Sequence, residues 1–357
     1  KIRVLIIDDS ALVRRLLSEV LSSDPAIEVV GAASDPYAAK DLINQLRPDV
    51  LTLDLEMPRM HGLAFLRILM AQRPMPVVMV SSLTERGGEL TMQALELGAV
   101  DVVTKPALDV SRGLQQQGQE IIAKVKAAAR SRPRIARPQP GTDRELAPTP
   151  RLTRTTAQIL AIGASTGGTE AIRELLEALP PDAPGVVIVQ HMPERFTRSF
   201  AERLNGCCRI EVAEAVDGQR VGTGRALIAP GNFHMRLVRS GAEYSVRVEQ
   251  GPAVNNHRPS VDVLFDSVAE YAGSNAVGVI LTGMGDDGAR GLLKMRKAGA
   301  FTLAQDRETC VVYGMPREAV ALGAAEQVLP LEKLAGAALR KFERAGGSHG
   351  EGTDRGR

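Results

Sequence analysis

Through the first 130 residues, short apolar runs alternate with segments of helical periodicity, and that rhythm leaves few folds open. The runs cover residues 4–7, 27–33, 49–53, 76–80 and 99–103. Residues 12–21, 37–46, 63–71 and 89–97 lie between them and carry apolar residues at helical spacing. A fifth helix is expected from about Gln115 to Arg130, with Ile121, Ile122 and Val125 facing inward. Strands this apolar are buried on both faces, so the repeats predict an α/β domain with a parallel, doubly wound sheet.

The rhythm stops at Arg132-Pro133-Arg134 and the proline-rich, basic stretch that follows through Pro150 to Arg154. Such a segment cannot bury enough apolar surface to offset its ordering entropy. Residues 131–155 are therefore expected to form a semi-extended linker. A second α/β block follows, taken as 156–345, with strand candidates at 159–162, 185–190, 226–230, 276–281 and 300–304. Residues 235–249 alternate with period two around Ser240-Gly241 and read as a hairpin. Residues 346–357 are polar and glycine-rich and are expected to form a frayed tail.

In an open parallel sheet, ligands gather where strands end. Asp8 and Asp9 end the first strand, Asp54 the third, Ser81 the fourth and Lys105 the fifth. Carboxylates with water make a hard oxygen site suited to Mg²⁺. A carboxylate beside such an ion can attack a phosphoryl donor and become an acyl phosphate, while the ammonium and hydroxyl neutralise the transferred oxygens. Taken singly, the aspartates could merely cap the helix near Ser10, and Lys105-Pro106 could be an ordinary turn. Their joint placement at successive strand ends favours a site. Residues 1–130 resemble the receiver domain of two-component response regulators, which are flavodoxin-like (CheY-like). The resemblance implies Asp54 as phosphoacceptor, Asp8, Asp9 and Asp54 as the Mg²⁺ site, Ser81 and Lys105 as switch residues, and a cis Lys105–Pro106 bond. Many receivers carry a switch aromatic just before the lysine; here stand Val102 and Val103, so an aromatic flip is not expected.

The second block opens with an apolar run, Gly163-Ala164-Ser165-Thr166-Gly167-Gly168, and then a helical pattern from Thr169 to Leu179. Gly163, Ser165 and Gly167 have the spacing of a nucleophile elbow. The same turn could cradle a phosphate, but it lacks the Lys-[Ser/Thr] ending of a P-loop and the G-x-G-x-x-G pattern. The strand at 185–190 runs straight into His191, a candidate base, and the strand ending near Leu281 runs into Met284-Gly285-Asp286-Asp287, which offers a carboxylate to orient it. His191 could instead be a structural histidine and either aspartate a helix cap. The order Ser, His, Asp differs from that of the α/β-hydrolases.

This block resembles the catalytic domain of the chemotaxis protein-glutamate methylesterase family, CheB, through residues 163–168, 190–193, 229–232, 257–262, 281–288, 304–306 and 314–316. The resemblance implies a doubly wound, Rossmann-like serine hydrolase with Ser165 as nucleophile, His191 as base and Asp287 as orienting acid. It implies the Met284 and Thr166 amides as oxyanion donors, and leaves His257, Arg258 and His234 as further pocket candidates. The implied activity is hydrolysis of glutamate γ-methyl esters on methyl-accepting chemotaxis receptors, with deamidation of receptor glutamines. The implied phosphodonor is a chemotaxis histidine kinase, and the unphosphorylated receiver is expected to inhibit. No metal is expected in the esterase step.

Composition narrows the alternatives. A net charge of +2 gives no general case for binding nucleic acid, and the second block is too long for a compact helix-turn-helix module. Three cysteines, two of them adjacent, do not make a disulfide framework. The first apolar run is too short for a signal segment or a bilayer span. A cytoplasmic monomer without membrane insertion is expected. Two further readings are a non-catalytic receptor adaptor and a related hydrolase of another sensory system.

Overall fold

The computed structural model describes residues 1–82, 85–105, 111–131 and 158–347. The expected linker lies, Ser131 apart, outside the described residues, and so does the Lys105–Pro106 bond. The chain divides into two compact units, each with its own sheet system.

The first unit holds β1 (Ile2–Ile7), β2 (Ile27–Ala33), β3 (Val50–Asp54), β4 (Val77–Ser81) and β5 (Asp101–Thr104). They pair in parallel in the order β2-β1-β3-β4-β5. This is the flavodoxin-like order, whose direction reverses between β1 and β3. Every residue of β3, β4 and β5 is buried, which accounts for their unbroken apolar character. Pairing of Ile7 with Leu53 makes Asp8 and Asp54 the next residues along neighbouring strands at that reversal.

The helices are α1 (Ala11–Ser22), α2 (Pro36–Leu46), α3 (Gly62–Gln72), α4 (Glu85–Glu96) and α5 (Ser111–Arg130). Ser10 caps α1 by accepting from Val13 N, so neither Asp8 nor Asp9 serves as the cap. Helix α5 starts earlier than the apolar pattern indicated. Its inward face differs too: Ile121 and Val125 are buried, Ile122 is only half-buried, and Lys124 lies inside. The ammonium of Lys124 donates to Val102 O at 2.7 Å and pairs with Asp101 at 3.2 Å and Glu120 at 3.1 Å. Burial alone would lower its pKa, but the two carboxylates hold it above the ordinary lysine value.

The second unit contains β6 (Ile159–Ala164), β7 (Gly185–Gln190), β8 (Glu211–Glu214), β9 (Arg220–Val221), β10 (Arg225–Ile228), β11 (His234–Ser240), β12 (Glu243–Glu249), β13 (Ala276–Ile280), β14 (Phe301–Gln305) and β15 (Gln327–Leu329). Seven of these form a parallel sheet in the order β15-β14-β13-β6-β7-β10-β8. The β11–β12 hairpin joins β9 in a small antiparallel sheet. Strands β8, β9 and β15 have no clear apolar signature because they are short and partly exposed.

From β6 the chain moves to β7 on one side, and β13 later returns on the other. The switch point therefore lies between β6 and β13, where carboxyl ends leave a crevice. The helices of this unit are α6 (Gly168–Glu177), α7 (Phe196–Cys207), α8 (Val261–Tyr271), α9 (Ala289–Lys297), α10 (Met315–Ala321) and α11 (Leu331–Gly347). Val261, Leu264, Phe265 and Val268 of α8 share one core with Leu292 and Met295 of α9 and Leu237 and Val246 of the hairpin. Helix α11 continues to Gly347, past the expected start of the tail at 346. Among the described residues no helix is long and apolar enough to cross a membrane.

Lys124→Ala removes the ammonium that neutralises the buried Asp101 carboxylate, and the loss should be about 3 kcal/mol. Hydrogen exchange of the intact chain should speed up in β4 and β5 and stay unchanged in β6 and β7.

Candidate active site

Two constellations occupy the carboxyl edges of the two parallel sheets. In the first unit, carboxylate oxygens of Asp8, Asp9 and Asp54 lie within 4.8 Å of one another. Lys105 Nζ sits 2.7 Å from Asp54 Oδ2 and 3.4 Å from Asp8 Oδ2. Burial pushes the Asp54 carboxyl up to about 6, against the pull of Lys105 and the Glu56 amide, and also raises Asp8. Asp8 Oδ2 is buried and accepts no hydrogen bond. Three clustered carboxylates, one with a buried oxygen that has only the Lys105 ion pair, fit a hard divalent cation such as Mg²⁺. The Ser81 hydroxyl ends β4 at this edge but donates to Ser82 O at 3.3 Å, so the structure does not turn it onto Asp54. Val102 and Val103 are buried.

In the second unit the backbone at the ends of β6, β7 and β13 is stitched together around Ser165. The Ser165 amide donates to Thr282 O at 3.0 Å, and the His191 amide donates to Ala164 O at 3.1 Å. The Ser165 carbonyl accepts from Gly168 N at 2.7 Å and from the Gln190 side chain at 2.9 Å. Gly167 stands at φ 77°, a left-handed turn where glycine is favoured. Gly283 admits no side chain: a Cβ there would lie 2.8 Å from Ser165 Cβ and 3.1 Å from Ser165 N. Gly283, the residue before Met284, therefore packs directly against Ser165. Thr166 lies at the same turn, its carbonyl accepting from Thr282 Oγ1 at 3.0 Å.

His191 Nε2 donates to Asp287 Oδ2 at 2.8 Å, and both groups are buried. The opposite ring nitrogen, Nδ1, is buried and has no hydrogen-bond partner. Ser165 Oγ is not bonded to it. Asp287 also accepts from Asn255 Nδ2 at 2.7 Å, Ser260 Oγ at 2.7 Å, Val261 N at 2.6 Å and Asp262 N at 3.2 Å. Burial by itself would raise this carboxyl, but His191 and the other donors hold it well below the usual carboxylate range. Asp286, one residue earlier, is exposed. Helix α9 begins after Gly288 with no side-chain cap, so neither aspartate caps it.

The remaining pocket candidates differ in role. His257 stacks on His191 with ring centroids 3.7 Å apart. His234 is buried and bonded to Pro252 O and Ser260 N, which makes it a brace. Arg258 is exposed and bonds Asn232 and the Gly251 carbonyl.

Asn255 and Ser260 have no clear sequence signal as partners of the acid. Ser260, just before α8, reads as an ordinary N-cap; its hydroxyl is instead diverted to Asp287, and it makes no side-chain cap bond. Gln190, Thr282 and Gln305 likewise act through contacts that span long stretches of chain. Thr282 N donates to Gln305 Oε1 at 2.8 Å, and Val312 N donates to Thr282 Oγ1 at 3.0 Å.

Fold and site together define the class: a receiver-type sheet with an acidic edge on the same chain as a doubly wound α/β domain whose edge gathers Ser165, His191 and Asp287. The family model described as CheB methylesterase matches residues 160–338, and the response regulator receiver domain model matches residues 4–115. A relative from Chromohalobacter salexigens, a protein-glutamate methylesterase/protein-glutamine glutaminase, is 57% identical over 97% of this chain and 98% of its own length. One of the same name from Thiobacillus denitrificans is 57% identical over 98% of both chains. The crystal structure of the Thermotoga maritima CheB methylesterase catalytic domain is 40% identical, with TM-score 0.51, covering 52% of this chain and 98% of that one. The chain belongs to the CheB methylesterase family.

Asp287→Asn removes the charge bonded to His191 Nε2 and, if Asp287 orients a catalytic histidine, should lower kcat by about 10⁴-fold. Asp286→Asn should leave kcat within about twofold, since surface changes away from bonded groups are mild. Ester hydrolysis by the two variants compares these effects. A carboxyl held low in the fold stabilises it above the free value of 3.8, and that contribution is lost as pH falls toward the folded value. The wild-type catalytic unit should therefore lose stability on acidification below that value, and Asp287→Asn should show a shallower loss in acid melts.

Proposed function

We propose that this chain hydrolyses glutamate γ-methyl esters on methyl-accepting chemotaxis receptors, releasing methanol, and deamidates receptor glutamines, under control of its receiver. The observation that carries the reading is the 2.8 Å bond between His191 and Asp287 at the edge that holds Ser165. The names of the relatives support the substrate class.

In this reading Ser165 Oγ attacks the ester carbonyl as its proton passes to His191 Nδ1. Asp287, ionised, stabilises the imidazolium. Base assistance of this kind contributes about 10²–10⁴-fold. The Met284 and Thr166 amides donate to the oxyanion, each worth roughly 10²–10³-fold in kcat. The imidazolium returns the proton to the leaving methanol, or to ammonia from a glutamine. Water then attacks the acyl-serine as its proton passes to His191, His191 returns that proton to Ser165 Oγ as the acyl bond breaks, and the glutamate departs as its carboxylate. The esterase step uses no metal.

Control resides in the receiver, residues 1–130, joined to the catalytic domain, 156–345, by a linker over 131–155. Asp54 accepts a phosphoryl group from a chemotaxis histidine kinase. Asp8, Asp9 and Asp54 would hold Mg²⁺, which when bound supplies positive charge opposite the phosphoryl oxygens. Lys105 draws the acyl phosphate, and Ser81 turns toward it. The unphosphorylated receiver inhibits the esterase, and phosphorylation relieves the inhibition. The protein works in the cytoplasm as a monomer, without membrane insertion or nucleic acid.

Methanol release from methyl-esterified receptor membranes, with Mg²⁺ and with or without a small phosphodonor, tests the whole reading. Release should rise with the donor, disappear in Ser165→Ala, and become donor-insensitive in Asp54→Asn. Deleting residues 1–131 should raise basal release. Release that ignores the donor would remove the Asp54 switch, and no release beside a working control esterase would favour the adaptor.

A further inference from the structure

The ring of His191 has a single hydrogen bond, from Nε2 to Asp287, and its Nδ1 has no partner. One hydrogen bond fixes a point and leaves the plane free, because such bonds weaken steeply only below about 120°. A base that must accept a proton at Nδ1 and return it needs its plane fixed as well. A second imidazole lies against the face of the ring. His257 lies flat against His191, with centroids 3.7 Å apart and planes 9° from parallel.

His257 is itself held firmly. It closes a tight turn with Val254, each amide donating to the other's carbonyl, at 3.0 Å and 2.9 Å. The two residues between them, Asn255 and Asn256, stand at φ 52° and 65°. Two successive left-handed residues are the requirement of the tightest hairpin turns, and asparagine tolerates them best after glycine. The tip of the turn is pinned by Asn255 Nδ2, which donates to Asp287 Oδ1 at 2.7 Å and to Asp262 Oδ2 at 2.8 Å. Its base is braced by buried His234, bonded on one flank to Pro252 O at 2.9 Å and on the other to Ser260 N at 3.3 Å. One carboxylate, Asp287, thus holds the His191 ring by its edge and also anchors the turn that covers its face.

We infer that His257 is a positioning residue for the base: its ring fixes the plane of His191 so that Nδ1 stays aimed at the Ser165 proton. It takes no proton in the reaction. The inference rests on the Ser165–His191–Asp287 reading above. It explains why a turn built from two left-handed asparagines sits beside the acid, since strained backbone persists where the surroundings impose it.

Misplacing a reacting group by about 1 Å can cost 10²-fold, so loss of the flat contact should act on kcat. The test uses the full chain with phosphodonor and methyl-esterified receptor, and follows methanol release alongside covalent labelling of Ser165 by a fluorophosphonate. His257→Ala should lower kcat roughly tenfold to a hundredfold and slow labelling in proportion, with KM within about twofold. His257→Phe, which keeps a flat face and drops the nitrogens, should return both rates to within about threefold of wild type. If His257→Ala does not fold, His257→Leu fills the volume without a flat face and should show the same loss. An unchanged kcat in the folded Ala or Leu variant would overturn the inference. So would a Phe variant as slow as Ala, since the effect would then belong to the nitrogens, or a loss confined to KM, which would make His257 a substrate contact. Failure of the wild type itself to label at Ser165 or to release methanol would instead strike the underlying hydrolase reading.

Discussion

Much of the catalytic domain is arranged around one carboxylate that must stay ionised out of water. Asp287 is 1% exposed. Removing a charge from water costs several kcal/mol after relaxation unless hydrogen bonds replace the lost solvent. The donors come from four places: His191 at the end of β7, the Asn255 turn, the Ser260 hydroxyl, and the first amides of α8. Those amides point at the carboxylate from the positive end of the helix dipole. Satisfying Asp287 therefore aligns α8, the 251–260 loop and the β13–α9 turn about the edge where Ser165 emerges.

The same physics gives a different result in the receiver. Asp54 is also buried, but its bonds come from Lys105 and the Glu56 amide, while Asp8 crowds it with like charge. Its carboxyl is pushed up to about 6, whereas that of Asp287 is held low. Under-compensated acid groups suit a site that receives a cation and a phosphoryl group, and a fully compensated one suits a fixed orienting charge. Both sites stand at the reversal of a parallel sheet, where diverging chains leave a crevice at the carboxyl edge.

Such a division of labour shows in the backbone as well. The serine turn allows close approach because Gly283 has no Cβ to meet Ser165, so β6 and β13 can bring two loop backbones together. The histidine is reached from the other side, from β7, and covered by a turn inserted between the antiparallel hairpin and α8. Insertion of the β11–β12 hairpin, the loop after it and α8 between β10 and β13 supplies the groups that bond Asp287 and cover His191.

What the sequence determined by itself was local. Apolar runs alternating with helical spacing prescribe two parallel α/β sheets, and turn residues place Asp54, Ser165 and His191 at strand ends. Short-range pattern could not go further where burial depends on distant neighbours. Ile122 is half-buried while Lys124 goes inside, because a pair of carboxylates and the Val102 carbonyl make the interior hospitable to an ammonium. The weak strands β8, β9 and β15 exist because neighbouring strands complete them. At the site, adjacent Asp286 and Asp287 look alike in sequence, and only the tertiary structure exposes the first and buries the second against a histidine 96 residues away. Asn255, Ser260 and His257 acquired their roles in the same way. Hydrogen bonding and stacking are decided by which segments the sheet brings together, and that proximity is a property of the folded chain alone.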